Sequence, residues 1–451
     1  MDTLLRELVL IVGPTHVLTS PDQRATYEVD WTGRFRGHTP AVVRPASTGE
    51  LVAIIDACRR AHVAIVPQGG NTGLVGGGVP LRDEIVVSLR RLATVGTVDT
   101  GARQVTVGAG VTLAGVQNLA AAAGLRYAVD LAARDSATIG GMIATNAGGI
   151  NMIRYGGTRE QVIGVEAVLG SGQIVSRLGG LLKDNTGYHF PSLLCGSEGT
   201  LGIVTAARLR LVTQHAHRAT ALVAFRTVVD AVAAVSMWRS HLDTLEAAEL
   251  FLDAGLQLVC SAFDLSPPFT SPWPVYVLVE AADHIDPTDA LGRAVEASSG
   301  MADVAVAGDE KRRRALWRYR EDHTLAINTL GPPHKLDVTL PIDRLAEFME
   351  VVPNAVSEVD RAAQTWLFGH VGDGNIHVNI TGVGRDDERT DERVLTYVCE
   401  LGGSISAEHG IGTAKKQWLH LNRSPAELSA MRAIKVALDP VNILNPNALF
   451  A

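Results

Sequence analysis

The stretch Phe368-Gly-His-Val-Gly-Asp-Gly-Asn-Ile-His-Val-Asn-Ile380 places alternating apolar and polar residues after a glycine-rich turn. Such a pattern predicts a β-hairpin. In a strand successive side chains point to opposite faces, so Asn375, His377 and Asn379 share one face and Ile376, Val378 and Ile380 the other. His370 precedes the turn on the facing strand, and the hairpin brings the two histidines together. An antiparallel sheet with one polar face follows. Catalytic zinc takes three protein ligands and keeps one position open, a set that His370, His377 and Glu408 of Ile405-Ser-Ala-Glu-His-Gly-Ile-Gly412 supply, with His409 as a base. The competing readings are satisfied core histidines and a helix-cap or salt-bridge role for Glu408 and His409.

Outward from the hairpin, Thr48–Val63 carries a capped helical pattern between Ala41-Val-Val and Ala64-Ile-Val-Pro, a β-α-β start. Short β-branched runs follow at Glu84–Leu89, Gln104–Gly110, Gln161–Gly170 and Gly202–Val212, with a helix over Leu113–Leu125. The fold class is α+β. Glycines thin out near Thr213, which sets domain boundaries of 1–214, 215–400 and 401–451, the last segment expected to pack back on the first domain. In the middle region strands Ala219–Phe225 and Trp273–Asp283 are each followed by a helix, which predicts a small antiparallel sheet with helices on one side.

A chain of 451 residues with 46% hydrophobic content is long enough for two or three domains with full cores. The net charge of −8 and the scattered basic residues exclude a nucleic-acid backbone binder. The run Lys311-Arg-Arg-Arg314 lies in a helical pattern and reads as a solvated face. The four cysteines lack metal or disulfide spacing and read as buried free thiols of a reducing compartment. No run reaches the ~18 apolar residues of a membrane span, so a cytoplasmic location is expected.

Three glycine-rich turns suit a large polar ligand. Pro67-Gln-Gly-Gly-Asn-Thr-Gly-Leu74 follows a strand and offers backbone N–H groups to a pyrophosphate through Gly69, Gly70, Asn71, Thr72 and Gly73. Asp135–Gly149 sets Ser136, Thr138, Thr145 and Asn146 among the paired glycines Gly140, Gly141, Gly148 and Gly149. Cys195–Thr205 includes Gly202 and Ile203, where backbone can pack against a planar ring. Each is also readable as an ordinary turn. Gly108-Ala-Gly110 with Asp130 imitates a nicotinamide-dinucleotide fingerprint, but Leu113 stands where its third glycine belongs.

In this order Pro67–Gly73, Asp135–Gly149, Lys183–Thr205, Gly369–His377 and Ala407–Gly412 resemble the FAD-linked oxidases of the vanillyl-alcohol-oxidase type, in their D-2-hydroxyacid dehydrogenase branch. The resemblance covers nearly the whole chain. It implies a flavin domain joined to a substrate domain built on an antiparallel sheet. FAD would be gripped by Pro67, Gly69, Gly70, Asn71, Thr72, Gly73, Leu74, Asp130, Ser136, Thr138, Gly140, Gly141, Asn146, Gly148, Gly149, Gly202, Ile203 and Asn445. It further implies a divalent metal, zinc first, on His370, His377 and Glu408, with His409 taking the hydroxyl proton as C2 passes hydride to flavin N5. The family usually ends Asn-Pro-Gly-Lys where this chain has Asn445-Pro-Asn-Ala448, and the histidine placement of covalent flavoproteins is missing. Noncovalent FAD is therefore expected.

From spacing alone, the helical pattern over 307–330 puts Arg320 and Thr324 on one face at i and i+4, and a strand over 334–342 puts Lys335, Asp337 and Thr339 on another. Two cations and a hydroxyl can hold a carboxylate, although plain solvation explains them equally. By resemblance these segments match the wall for the distal carboxylate in D-2-hydroxyglutarate dehydrogenases, with Arg320, Thr324 and Lys335 on that carboxylate and Asn379 beside the metal. The expected reaction is D-2-hydroxyglutarate to 2-oxoglutarate, with D-lactate or glycolate as alternatives. Electrons would pass to an electron-transfer flavoprotein or a quinone, and a homodimer is possible. A flavin-free zinc hydrolase and a flavin-storing regulatory protein are the readings from other classes.

Overall fold

The computed structural model describes residues 1–450. Its contacts group Met1–Gly149, Tyr155–Gln214 and Glu408–Ala451 into one compact unit, and Ile150–Arg154 with His215–Ala407 into a second. The divisions at 214/215 and 400/401 read from composition are silent on Ile150–Arg154. That segment holds to the second unit because Ile150 packs on its apolar cluster and the Arg154 guanidinium donates to the Thr244 and Ala282 carbonyls.

In the first unit, strands Val42–Val43 and Ile65–Gln68 both lie parallel to Ile85–Ser88. The two strands flanking Ile85–Ser88 are joined by helix Thr48–Ala61, the crossover that parallel strands of one sheet need. That helix starts at Ser47, whose hydroxyl accepts from the Glu50 N–H, while the Glu50 carboxylate accepts from the Ala46 N–H. Its Leu51, Ile54, Ile55 and Cys58 are buried. A second, antiparallel sheet orders Gln104–Gly108, Gly202–Arg210, Val162–Leu169 and Ile174–Arg177. Both sheets share one apolar core. Burial pushes the Cys58 and Cys195 thiols up to about 12, so both are inert at neutral pH.

The second unit is a seven-stranded antiparallel sheet. Its strands are β1 (His217–Phe225), β2 (Leu245–Leu252), β3 (Val275–Asp283), β4 (Met301–Ala307), β5 (His334–Thr339), β6 (Gln364–His370) and β7 (Asn375–Thr381). They are ordered β4-β1-β3-β2-β6-β7-β5. Helices cover both faces, which corrects the expectation of helices on one side. One face carries Leu222, Phe251, Tyr276 and Phe368 against Leu256, Trp317 and Ile327 of three helices. The other carries Phe225, which meets Trp238 of helix Val228–His241. The physical reason is legible in β1, β2 and β3, whose residues are nearly all buried and whose apolar side chains follow one another, as in Leu222-Val-Ala-Phe225 and Val275-Tyr-Val-Leu-Val279, and so point to both faces.

The predicted helix over 307–330 is two helices, Glu310–Glu321 and His323–Asn328, meeting at Asp322. Arg320 and Thr324, expected on one helical face, therefore lie on two helices on either side of a break. The basic run is paired: Arg313 docks on buried Glu280, and Arg314 and Arg312 meet Glu310 and Asp309.

His323 sits beyond the break, its ring between those of Phe251 and Phe368 at 5.1 and 5.0 Å. Burial, reinforced by the Arg320 charge, lowers its pKa to about 3. The unfolded chain takes up a proton near pH ~6.5 that the folded chain refuses until about pH 3, so acid favours unfolding through this residue. Denaturant unfolding at a series of pH values is expected to show the native chain losing stability relative to a His323→Leu variant as pH falls through that window, by a few kcal/mol at roughly 1.4 kcal/mol per unit.

Candidate active site

The hairpin β6–β7 forms as the alternation predicts, with Phe368 opposite His377, Trp366 opposite Asn379 and His370 opposite Asn375. Strand β5 lies on its far side, pairing Lys335 with Asn379, Asp337 with His377 and Thr339 with Asn375. Three rungs of side chains therefore stand on one face: Lys335–Asn379–Trp366, Asp337–His377–Phe368 and Thr339–Asn375–His370. The turn is tight enough to demand glycine. A Cβ on Gly374, at φ 83°, would lie 2.3 Å from the Leu340 carbonyl oxygen, and one on Gly369 would lie 2.3 Å from that of Asn375.

The His370 and His377 rings stand edge to face with centroids 5.2 Å apart. Each Nδ1 faces a buried carboxylate, His370 at 2.6 Å from Glu249 Oε1 and His377 at 3.3 Å from Asp337 Oδ1. Asp337 also accepts from the Asn375 amide at 2.8 Å. A histidine whose Nδ1 is bonded to a carboxylate offers Nε2 as a ligand, so the donor chemistry of this pair fits a divalent metal.

Arg320 lies within 2.8 Å of Glu249 through its Nε, with its guanidinium 4.7 Å from the centre of the Phe368 ring. Glu249 is a residue that spacing arguments missed. The available signal was an acid inside the apolar run Ala247-Ala-Glu-Leu-Phe251, because an acid buried in such a strand needs cationic partners. Burial works to raise its pKa, and the His370 and Arg320 charges overcome this and hold it below the usual carboxylate range. Lys335 is half-buried, and the loss of hydration lowers its pKa to about 8. Thr324, on the short helix after the break, is half-buried.

Glu408 and His409 open the last segment of the first unit, so the four candidate metal and base residues are divided between the units. Glu408 Oε1 accepts from the Gly149 N–H at 2.5 Å, and a Cβ on Gly148 would lie 2.8 Å from that oxygen. The loop after His409 is held by Glu198, whose carboxylate accepts from the Ile411 and Gly412 N–H groups, both at 2.7 Å. Glu198 was also missed. Its burial raises its pKa despite those bonds.

Within the first unit the glycine turns lie against one another. A Cβ on Gly69 would fall 2.3 Å from Thr138 Oγ1, and one on Gly70 would fall 1.9 Å from the Ser136 carbonyl oxygen. Thr138 caps the helix Ile139–Thr145, accepting from the Gly141 N–H. Gly140 abuts Ala109, and Gly149, at φ 111°, leaves room for the Asp130 carbonyl. Backbone brought this close, with polar side chains between, fits a large polar cofactor. Some of the set also hold loops: Asn71 donates to the Thr26 and Val29 carbonyls, Asn146 accepts from the Arg159 N–H, and Asn445 donates to the Gly77 and Glu198 carbonyls. Asp130 meets Gln117 and Arg134. Pro67 lies in the strand Ile65–Gln68 that leads into the turn, Thr72, Gly73 and Leu74 continue the turn, and Gly202 and Ile203 begin a buried strand. In the departing tail, Asn447 donates to buried Glu84. The Gly108-Ala-Gly110 imitation is a packing turn, its glycines pressed on the Leu92 and Leu89 carbonyls, and its strand pairs antiparallel.

Comparison with known proteins extends these observations. Residues 39–177 match the model of an FAD binding domain and residues 214–449 that of the FAD linked oxidases, C-terminal domain. The chain is 37% identical to a D-2-hydroxyglutarate dehydrogenase of Xanthomonas citri pv. viticola, over 100% of this chain and 97% of that one. It is 35% identical to a protein of the same name from Stutzerimonas stutzeri, over 99% of each. A p-cresol methylhydroxylase structure with substrate bound superposes with a TM-score of 0.79 at 16% identity, covering 99% of this chain and 96% of that one. The last likeness concerns the fold, that of the vanillyl-alcohol-oxidase type.

A Gly70→Ala substitution is expected to force the first glycine turn away from Ser136. Purified variant should carry less flavin absorbance per protein than the native chain, and equal flavin content would show that the turn's close packing is immaterial to the cofactor.

Proposed function

Because the chain belongs to the FAD-linked oxidases and is an FAD-dependent oxidoreductase, we propose that it oxidises D-2-hydroxyglutarate to 2-oxoglutarate with the help of a divalent metal. The observation that carries the reading is the gathering of His370, His377, Asn379, Lys335 and Arg320 about one sheet face. A metal-binding pair beside two cations suits a substrate with a hydroxy-acid end and a second carboxylate. Family membership removes the flavin-free hydrolase.

Bound FAD supplies the hydride acceptor, and a bound divalent ion a Lewis acid toward the hydroxyl and its neighbouring carboxylate. The first unit holds the flavin through its glycine turns, and the second holds the acid. His370 and His377, with Glu408 in the role the sequence resemblance implies, are the ion's ligands. Arg320 and Lys335, assisted by Thr324, bind the distal carboxylate, the arginine in bidentate fashion. Asn379 orients the hydroxy-acid end, and His409 accepts the proton of the C2 hydroxyl. Electrons leave to an electron-transfer flavoprotein or a quinone, in the cytoplasm.

Anaerobic mixing with a panel of D-2-hydroxy acids tests the reading. D-2-hydroxyglutarate should bleach the flavin fastest, and dialysis against a chelator should abolish bleaching until zinc is restored. Failure of every hydroxy acid to reduce the flavin would sink it.

Arg320→Ala or Lys335→Ala should raise KM for D-2-hydroxyglutarate by roughly ten- to a hundredfold, the worth of a charged hydrogen bond, and disturb D-lactate far less. Equal losses on both substrates would favour the D-lactate reading.

Lys335 binds a carboxylate only while protonated, so kcat/KM for the dicarboxylate should fall as pH rises through about 8. In Lys335→Met that limb of the profile should vanish.

A further inference from the structure

We propose that Glu249 is a positioning residue that ties the metal-binding His370 to the carboxylate-binding Arg320, so that occupancy of one is felt at the other. The inference rests on the function proposed above. Glu249 lies on β2, where Ala247, Ala248, Leu250 and Phe251 around it are buried. It is itself 1% exposed. Its two oxygens serve different partners, with Oε1 2.6 Å from His370 Nδ1 and Oε2 2.8 Å from Arg320 Nε.

The first contact sets the tautomer. A proton held on Nδ1 toward the carboxylate leaves Nε2 as the ligating nitrogen and fixes the plane of the ring. The second contact is an ion pair without an aligned Nε–H hydrogen bond, and together with the Phe368 ring 4.7 Å away it confines the guanidinium beside the carboxylate. Glu249 is rigid at its base, anchored in a strand, and a shift of one oxygen moves the other. Linkage then requires reciprocity: a dicarboxylate on Arg320 tightens the ion on His370, and the ion tightens the dicarboxylate. His377 has a different arrangement, since its carboxylate partner Asp337 is shared with the Asn375 amide.

The test uses flavin-loaded native protein, Glu249→Gln and Glu249→Asp, with zinc affinity read by competition against a chromogenic chelator, in the presence of 2-oxoglutarate, of 2-oxobutyrate or of neither. In the native protein 2-oxoglutarate should tighten zinc beyond the effect of 2-oxobutyrate, since both offer the ion a 2-oxo acid end and only the first brings Arg320 a second carboxylate; that excess is the tightening compared among the variants. Glu249→Gln should weaken zinc by roughly ten- to a hundredfold, the usual effect of losing an outer-shell partner, and erase the tightening. Glu249→Asp, which keeps the charge and is too short to serve both partners, should recover part of the affinity and little of the tightening. In an Arg320→Ala background 2-oxoglutarate should tighten zinc no more than 2-oxobutyrate does, whether or not Glu249→Gln is added. Native zinc affinity in Glu249→Gln, or full tightening in Glu249→Asp, would overturn the proposal. If Glu249→Gln does not retain flavin, the tightening in Glu249→Asp decides alone. A native protein that binds no zinc and whose flavin no hydroxy acid reduces would overturn the functional reading itself, before any variant is made.

Discussion

The register of the β6–β7 hairpin governs what the second unit can do. Side chains alternate with a period of two, so a slip of one residue would turn Trp366, Phe368, His370, His377 and Asn379 to the opposite face. The glycines prevent it. Gly369 and Gly374 sit where any Cβ would strike a carbonyl oxygen, and Gly374 adopts a left-handed backbone that other residues resist. With that turn set, β5 can pair in only one useful way, and Lys335 and Asp337 arrive beside Asn379 and His377.

Helix Glu310–Glu321 brings the remaining cation to this face, and its docking is electrostatic as well as apolar. Arg313, Trp317 and Arg320 recur at i, i+4 and i+7 and so share one face. Glu280 receives Arg313 through Nε and Nη2 at 2.6 and 2.9 Å and the Trp317 Nε1–H at 2.9 Å, while Glu249 receives Arg320. Two acids on the sheet thus fix both ends of one helical stripe. Buried ion pairs give little net stability, because desolvation offsets their attraction. Their value lies in position: a misdocked helix would leave two buried carboxylates uncompensated.

Much of this was legible before any coordinates. The hairpin, the shared face of Asn375, His377 and Asn379, and the crossover helix Thr48–Ala61 follow from local periodicity and capping. The glycine turns were recognisable as ligand-sized, and the imitation fingerprint at Gly108 was recognisable as such. Less legible were Glu249 and Glu198, since an acid in an apolar strand or a glycine turn announces that it has partners without saying which. The break at Asp322 also escaped, because both halves have helical sequence and the interruption lets His323 fill a gap between Phe251 and Phe368.

The order of residues alone was enough for most elements, the family and the chemical types available, since periodicity, caps and ordered motifs are properties of neighbours along the chain. It was also sufficient to pair the two histidines, because a four-residue turn leaves them nowhere else to go. That His370 and Arg320 share one carboxylate, that Lys335 is buried enough to lower its pKa, and that helices cover both sheet faces came from packing in three dimensions. These depend on contacts between residues far apart in the chain, as Glu249 is from Arg320, 71 positions on, and from His370, 121 positions on. No local pattern encodes such distances; packing a continuous apolar sheet between two helical layers does.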